Sequence, residues 1–300
     1  MEGLHVPRSV IKILFKEVDP EGSKLRKRNK LQRRQYNNPG PNYAWHIDGY
    51  DKLKPWGFPI HGGIDGFSRR MLWLNLTRSN NSPDNIAAMY LQTVHELGGC
   101  PVELVTDLGT ENVIAAAIQS FFRANPDAHR YVPSPRNQRI EAWWSYFSKG
   151  YSKWWRNFFS DLEFKGIVDM SSELSKECLW CCFSPLLQKD LDLFFAHWNT
   201  HRIRWSRHNT VSGRPDSLFF LPEYHGGESN LVMPVQDREI GYISRHIVIE
   251  PELNDYQDYF QYAKQLNEFT EPKNWQEALK LYQVLMNVAQ DGFMPVVNDV

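Results

Sequence analysis

The feature that most constrains the fold is a short apolar run that ends on an acidic residue and leads into a helix. Val102, Leu104 and Val105 form the kind of run that predicts a buried strand. Asp107 closes the run, and after a turn at Gly109 the chain enters a strong helix-forming segment. A carboxylate at the carboxyl end of a buried strand lies where open α/β sheets bind ligands. Taken alone, the stretch favours a simpler interpretation, in which Asp107 is a helix N-cap.

The segments around this run predict a mixed α/β sheet covered by helices. Three strands come first along the chain, and helices and strands alternate after them. Composition and turn residues place strands at 43–50, 59–67, 71–76, 102–106 and 129–132. Capping residues and apolar periodicity place helices at 82–97, 111–124 and 137–159, and residues 160–221 are expected to be mostly helical.

The chain divides into three regions at changes in composition. A dense group of turn residues around Pro39 marks the first boundary, and the chain turns acidic after Glu223. We expect a basic lead-in that is helical or disordered, an α/β core with a helical extension, and an acidic C-terminal region, at 1–40, 41–222 and 223–300. In the last region we expect a loose chain with one hairpin at Gly241–Ile249 and a helix at Trp275–Ala289.

Basic residues are concentrated near the start of the chain. The formal net charge is −1, so total charge predicts no partner. Between residues 24 and 34, however, there are seven basic residues and no acid: Lys24, Arg26, Lys27, Arg28, Lys30, Arg33 and Arg34. Such a run is usually a solvated helix face, but it also suits phosphate binding or a nuclear import signal. The lack of acids favours nucleic acid as the partner and the nucleus as the location.

The four cysteines are not arranged like the disulfide framework of a secreted protein. Three of them are bunched, which favours a reducing compartment, the nucleus or otherwise the cytoplasm. The first residues have no apolar signal-peptide core, and no stretch approaches the ~20 apolar residues of a membrane span. We therefore expect no membrane partner.

One group of cysteines and histidines has the formal spacing of a zinc finger. It consists of Cys178, Cys181, His197 and His201. The apolar residues between the two pairs predict a packed helix, whereas a finger needs a ββα unit. Buried cysteines acting as small hydrophobic residues are the favoured interpretation, and zinc is the alternative.

Three acids are candidates for a shared metal site. Asp48 lies within the first strand, Asp107 follows the fourth, and Glu141 lies on the next helix. Two Mg²⁺ or Mn²⁺ ions held by carboxylates can clamp the attacking and leaving oxygens of a displacement at a phosphodiester. In this hypothesis Asp48 bridges both ions, while Asp107 and Glu141 each complete one. Each acid alone is weak support, because most acids are solvated surface residues.

The motifs that contain these acids resemble the integrase core domain, the D,D,E recombinase group of retroviruses, retrotransposons and transposon-derived proteins of animal genomes. The resemblance covers about 43–222 and includes Trp198–Arg204 and Gly213–Pro215. Its main motifs are His46–Gly49, Ile64–Arg69, Thr106–Asn112 and Asn137–Glu141. Asp65 matches a second-strand acid outside the metal-binding three, and we interpret it as structural. The zinc domain of retroviral integrases has no counterpart in residues 1–42, and a C-terminal barrel is not recognisable in 223–300.

The resemblance implies a ribonuclease-H-like fold, a mixed five-stranded sheet flanked by helices, in which Asp48, Asp107 and Glu141 meet at one edge. It also implies Mg²⁺- or Mn²⁺-dependent cleavage and strand transfer of DNA, by a transposon-derived recombinase that forms a homo-oligomer. Arg139, near Glu141, is a candidate phosphate contact, and surface placement explains it equally well. Two alternatives stay open: a domesticated DNA- or protein-binding module without catalysis, and a ribonuclease-H-type nuclease.

Overall fold

A computed structural model describes residues 7–28, 38–205, 211–249 and 254–291. The chain forms two compact units, residues 1–37 and residues 38–300. The first unit contains helices α1 (Arg8–Val18) and α2 (Pro20–Arg28), which pack against each other. Helix α1 is amphipathic, and the side chains of Ile13, Phe15 and Val18 are exposed to solvent.

The second unit is built around a mixed five-stranded sheet with the order β3-β2-β1-β5-β6. Its first three strands pair antiparallel, whereas β5 and β6 pair parallel to β1 and to each other. A separate short pair joins β4 to β7. The strands are β1 (Ala44–Tyr50), β2 (Ile60–Asp65), β3 (Met71–Leu76), β4 (Gly99–Cys100), β5 (Glu103–Thr106), β6 (His129–Tyr131) and β7 (Met233–Pro234).

Helices cover both faces of this sheet. They are α3 (Pro83–Leu97), α4 (Val113–Arg123), α5 (Gln138–Phe147), α6 (Lys153–Phe164), α7 (Glu173–Thr200), α8 (Pro215–Phe220), α9 (Asp237–Ser244), α10 (Asp255–Leu266) and α11 (Trp275–Asp291). A π-helical turn at Ser148–Ser152 connects α5 to α6. The ribonuclease-H-like fold that the sequence predicts, with its mixed five-stranded sheet flanked by helices, is confirmed. Among the described residues, no helix is both long and apolar enough to cross a lipid bilayer.

The alternation of side chains along β1 decides which residues face which layer. Trp45 and Ile47 belong to the apolar cluster formed with α3 and α4. Tyr50 belongs to the other cluster, which includes side chains of α5, α6, α7, α10 and α11. Because successive side chains of a strand point to opposite faces, His46 and Asp48 lie on the same face as Tyr50. Asp48 therefore faces the layer that contains α5.

Helix α7 covers the outer edge of the sheet at β3. The side chain of Asn199 pairs with both the N–H and the carbonyl oxygen of Met71. Gln188 accepts a hydrogen bond from the Leu76 N–H and donates to the Leu74 carbonyl oxygen. These two amides are about 16 Å apart along the helix, which matches a strand length of about 17 Å from Met71 to Leu76. The backbone groups that an edge strand leaves unpaired are thus partly satisfied by α7.

The C-terminal region differs from the expectation of a loose chain with a hairpin. The predicted hairpin at Gly241–Ile249 does not form, because a capping box between Gln236 and Glu239 starts helix α9 there. The predicted helix at Trp275–Ala289 corresponds to α11. Helices α10 and α11 both pack against α7 and contribute Phe260 and Leu285 to the same apolar cluster as the sheet.

Candidate active site at the edge of the sheet

Asp48 lies near the end of β1, the central strand of the sheet, and is half-buried. The side chain of Trp144, on α5, donates a hydrogen bond from Nε1 to Asp48 Oδ2 at 3.0 Å. Tyr50 packs its ring 5.0 Å from the ring of Trp144, between centroids. The carboxylate of Asp48 is therefore oriented by a residue of the helix that also bears Glu141.

Asp107 follows β5, the strand that pairs parallel with β1. Its Oδ1 atom accepts hydrogen bonds from the N–H of Gly109 at 3.2 Å and from Nδ2 of Asn112 at 3.0 Å. Asn112, and not Asp107, occupies the N-cap position of α4. The simpler interpretation of Asp107 as the cap of this helix is therefore wrong, and these two bonds hold its side chain at the carboxyl end of the strand.

Glu141 lies in the first turn of α5, which packs on β1 and β2. Its Oε1 atom accepts a hydrogen bond from the hydroxyl of Ser134 at 2.6 Å. Its backbone N–H donates to the carbonyl oxygen of Asn137 at 3.2 Å, which starts the helix. The third predicted acid thus comes from a helix that packs over the strand bearing Asp48.

The electrostatics at Asp48 reflect both of the other acids. Burial, followed by the negative charges of Asp107 and Glu141, raises the pKa of Asp48 from 3.8 to about 8. The hydrogen bonds from Trp144 and from the backbone of Gly49 act in the opposite sense and lower the pKa. The charges of two acids on other elements therefore act on Asp48 at one edge of the sheet.

A metal ion at this edge would be bound by carboxylate oxygens, the ligands that Mg²⁺ and Mn²⁺ prefer. In the parts of the chain that the structure describes, no group of three His, Cys, Asp or Glu side chains is arranged to hold a metal ion. The charges of Asp107 and Glu141 nevertheless contribute to the raised pKa of Asp48. The donor chemistry of the three carboxylates fits a hard divalent cation.

Comparison with protein families identifies the family to which this fold belongs. The integrase core domain family matches residues 35–222, more than half of the chain. This chain belongs to the integrase core domain family. No curated protein matches the chain. Integrase core domains typically use divalent metal ions, which agrees with the donor chemistry of the three acids.

Three residues that contact the acids, or the strand beside them, were given no contact by the sequence analysis of this integrase core. Asn137 binds β1 next to Asp48, Trp144 binds Asp48 itself, and Asn112 binds Asp107. A helical spacing of three residues places Trp144 on the same side of α5 as Glu141, and this signal is present in the sequence. The contact of Asn137 depends on how α5 packs against β1, and the contact of Asn112 depends on the turn that follows Asp107, so the sequence does not reveal either contact.

Asp65 is a structural acid of the integrase core, as the sequence predicts. It is fully buried, and it accepts hydrogen bonds from the N–H groups of Asn42, Phe67 and Ser68 and from the Ser68 hydroxyl. Burial raises the pKa of Asp65, while these four donors lower it. Its carboxylate closes the turn between β2 and β3 and fixes the start of β1.

The zinc alternative does not form a site. Cys178, Cys181 and His197 all lie on the continuous helix α7, and the cysteines are buried in the apolar cluster. Cys178 and His197 are about 28 Å apart along the helix axis, so they cannot share a metal ion. A hydrogen bond with Cys182 and, after it, burial raise the pKa of the Cys181 thiol, which agrees with an unreactive core residue.

The predicted basic contacts fall on two parts of the chain. Lys24 is exposed on α2, and Arg26, Lys27 and Arg28 follow it on the same helix. Lys30, Arg33 and Arg34 lie outside the described residues. Arg139 is half-buried in the first turn of α5. Burial and, to a smaller extent, the charge of Arg139 lower the pKa values of His46 and Arg69. Arg139 therefore adds positive charge to the turn of α5 that bears Glu141.

Proposed function

We propose that this integrase core cleaves and joins DNA, using Asp48, Asp107 and Glu141 to bind Mg²⁺ or Mn²⁺. The family supports an integrase- or transposase-like function. The observation that most supports catalysis is the environment of Asp48, a half-buried carboxyl whose pKa is raised by burial and by two further acids. Such a group is destabilised when ionised, and a bound cation would stabilise it.

The proposed reaction is an in-line displacement at a phosphodiester, with water or a DNA 3′-hydroxyl as the nucleophile. Metal ions bound by the three acids would stabilise the charge on the attacking and leaving oxygens. The chain itself orients the ligands: Trp144 holds Oδ2 of Asp48, and Asn112 holds Oδ1 of Asp107. Glu141, in the first turn of α5, would supply the third carboxylate.

DNA is the proposed partner, through contacts from Arg139 near the site and from the basic residues between Lys24 and Arg34. Each phosphate contact adds to the salt dependence of binding. We expect the affinity of the full chain for DNA to fall steeply with salt, and deletion of residues 1–35 to make the log–log slope shallower. Equal slopes for the two proteins, measured by fluorescence anisotropy, would show that the basic run does not contact DNA phosphates. Homo-oligomer formation, nuclear location and transposon origin stay predictions.

One observation favours a binding module without catalysis as the second candidate. Within the described residues, no three acidic or other metal-binding side chains are arranged to hold an ion. In this alternative the protein keeps the integrase fold and binds DNA or a protein, but the carboxylates never close on a metal.

A strand-transfer assay separates the candidates. It uses the full chain, a labelled DNA end and a plasmid target, with Mg²⁺, Mn²⁺ or EDTA. Metal-dependent joining of the labelled end to the plasmid is the expected result. Nicking without joining would indicate a nuclease, and binding with no covalent product would indicate a binding module, and either result would contradict the proposal.

A further inference from the structure

Asn137 occupies the N-cap position of α5, but its side chain does not cap the helix. Asparagine is among the residues most favoured there, because its side-chain oxygen can accept from an N–H of the first turn. In this protein the side-chain amide faces β1 instead. Oδ1 lies 2.7 Å from His46 Nδ1, and Nδ2 donates to the carbonyl oxygen of Ile47 at 3.0 Å. A side chain suited to stabilise the helix therefore uses both polar atoms to bind the strand.

The two hydrogen bonds define which atom donates and which accepts. The carbonyl oxygen of Ile47 can only accept, so the atom that faces it is the amide nitrogen of Asn137. Oδ1 can only accept, so His46 donates to it from Nδ1. Asn137 and His46 are each 1% exposed, so water does not replace either partner. The site requires a short side chain with one donor and one acceptor, which asparagine supplies.

Glu141 lies between this contact and a second attachment of α5 to the same strand. Asn137 precedes Glu141 by one helical turn, and its carbonyl oxygen accepts the Glu141 N–H. Trp144, on the following turn, donates to Asp48. The two attachments reach three consecutive residues of β1: His46, Ile47 and Asp48. The distance between the strand and the first turn of α5 is therefore set on both sides of the acid.

We propose that Asn137 is a positioning residue that keeps Glu141 beside Asp48 by tying the first turn of α5 to β1. The inference rests on the proposed function, because it assigns the effect of Asn137 to an acid that the function uses. Replacing Asn137 releases one of the two attachments and leaves the other, so the helix stays in place while its first turn moves. Contacts that orient ligand side chains typically change metal affinity or activity by about 10–100-fold.

The first test compares Mn²⁺ binding by Asn137→Ala and a matched control. Asn254 occupies the N-cap of α10, where its side chain accepts a hydrogen bond from the Gln257 N–H at 2.9 Å, away from the acids. We expect Asn137→Ala to bind Mn²⁺ about 10–100-fold more weakly than the wild type in titration calorimetry. Asn254→Ala is expected to bind as the wild type does. Equal affinities for wild type and Asn137→Ala would overturn the proposal.

The second test asks whether Asn137 acts through Glu141. In a Glu141→Gln background, Asn137→Ala is expected to weaken Mn²⁺ binding no further, because the carboxylate that it positions is already absent. If Asn137→Ala weakens Mn²⁺ binding in the Glu141→Gln background as much as it does in the wild type, Asn137 acts on the site by another route. That result would overturn the proposal.

A third test follows the helix itself in metal-free protein. Hydrogen exchange of the Glu141 amide is expected to be faster in Asn137→Ala than in the wild type, and unchanged in Asn254→Ala. If the exchange rate of the Glu141 amide is unchanged in Asn137→Ala, Asn137 does not hold the first turn of α5 to β1, and the proposal is overturned even if Mn²⁺ binding becomes weaker. A wild-type protein that neither binds Mn²⁺ nor joins DNA would instead contradict the proposed function. The exchange rates would still decide whether Asn137 holds the first turn of α5 to β1.

Discussion

Asp48 and Asp65 lie on neighbouring strands within the same local sequence, Ile-Asp-Gly, but their carboxylates have different surroundings. Asp65 is fully buried and accepts four hydrogen bonds from backbone and hydroxyl donors of its own turn and of Asn42. Its acceptor capacity is used within the protein, and the turn between β2 and β3 depends on it.

Asp48 is less buried than Asp65 and is less well supplied with donors. Trp144 donates to one of its oxygens, and the charges of Asp107 and Glu141 oppose its ionisation. A carboxylate with few donors and two acidic neighbours is costly for the fold but available to a cation. The difference between the two aspartates shows that the local sequence does not decide whether an acid is structural, whereas the number of donors around it does.

The largest expected difference between the two aspartates is in catalysis. Asp48→Asn removes a proposed metal ligand, so the rate of DNA joining is expected to fall by several orders of magnitude while the protein stays folded. Asp65→Asn leaves the three acids intact, so joining is expected to continue at a temperature where the variant is folded. Circular dichroism at the assay temperature checks folding. Similar losses of joining in the two variants would remove the distinction between them.

Stability should change in opposite directions. Asp65→Asn places an N–H₂ donor against backbone N–H donors, so the free energy of unfolding is expected to fall by about 3 kcal/mol. Asp48→Asn removes a buried charge near two like charges, so the metal-free protein at pH 9 is expected to become more stable. Urea unfolding in EDTA measures both. A destabilised Asp48→Asn variant would mean that the Asp48 carboxylate already has enough donors in the fold.

The smallest expected effect is a dependence of stability on pH in metal-free protein. The pKa of Asp48 is about 8 in the folded protein, above the value of 3.8 that describes the unfolded chain. The folded state therefore holds a proton that the unfolded state has lost, and this stabilisation disappears as the pH rises through 8. Between pH 7 and 9 the loss is on the order of 1 kcal/mol.

The comparison with Asp48→Asn isolates this contribution, because other groups titrate equally in the two proteins. The urea midpoint of the wild type should fall more steeply between pH 7 and 9 than that of Asp48→Asn. Parallel midpoints would place the pKa of Asp48 below 7 and contradict the environment described for it.

The sequence predicts the sheet well, because each strand has local signals. The apolar runs that contain Ile47, Ile64 and Val105 fix β1, β2 and β5, and the turn residues between them bound the elements. The resemblance to the integrase core domain predicts that the three acids lie at one edge of the sheet. Neither the local strand signals nor the resemblance depends on knowing which distant residues are in contact.

The sequence predicts the supporting contacts poorly, because these join residues far apart along the chain. Asn137 looks like a helix cap, and only the approach of α5 to β1 shows that its amide binds His46 and Ile47. The sequence predicts a hairpin at Gly241–Ile249, whereas a capping box that begins at Gln236 starts a helix there.

The most direct test of the account is the joining activity of Glu141→Gln. This change keeps the size and hydrogen-bonding capacity of the side chain but removes the charge proposed to complete the metal site with Asp48 and Asp107. We expect the variant to stay folded and to bind DNA as the wild type does, but to lose metal-dependent cleavage and joining by several orders of magnitude. A Glu141→Gln variant that joins DNA as fast as the wild type would contradict the three-acid site.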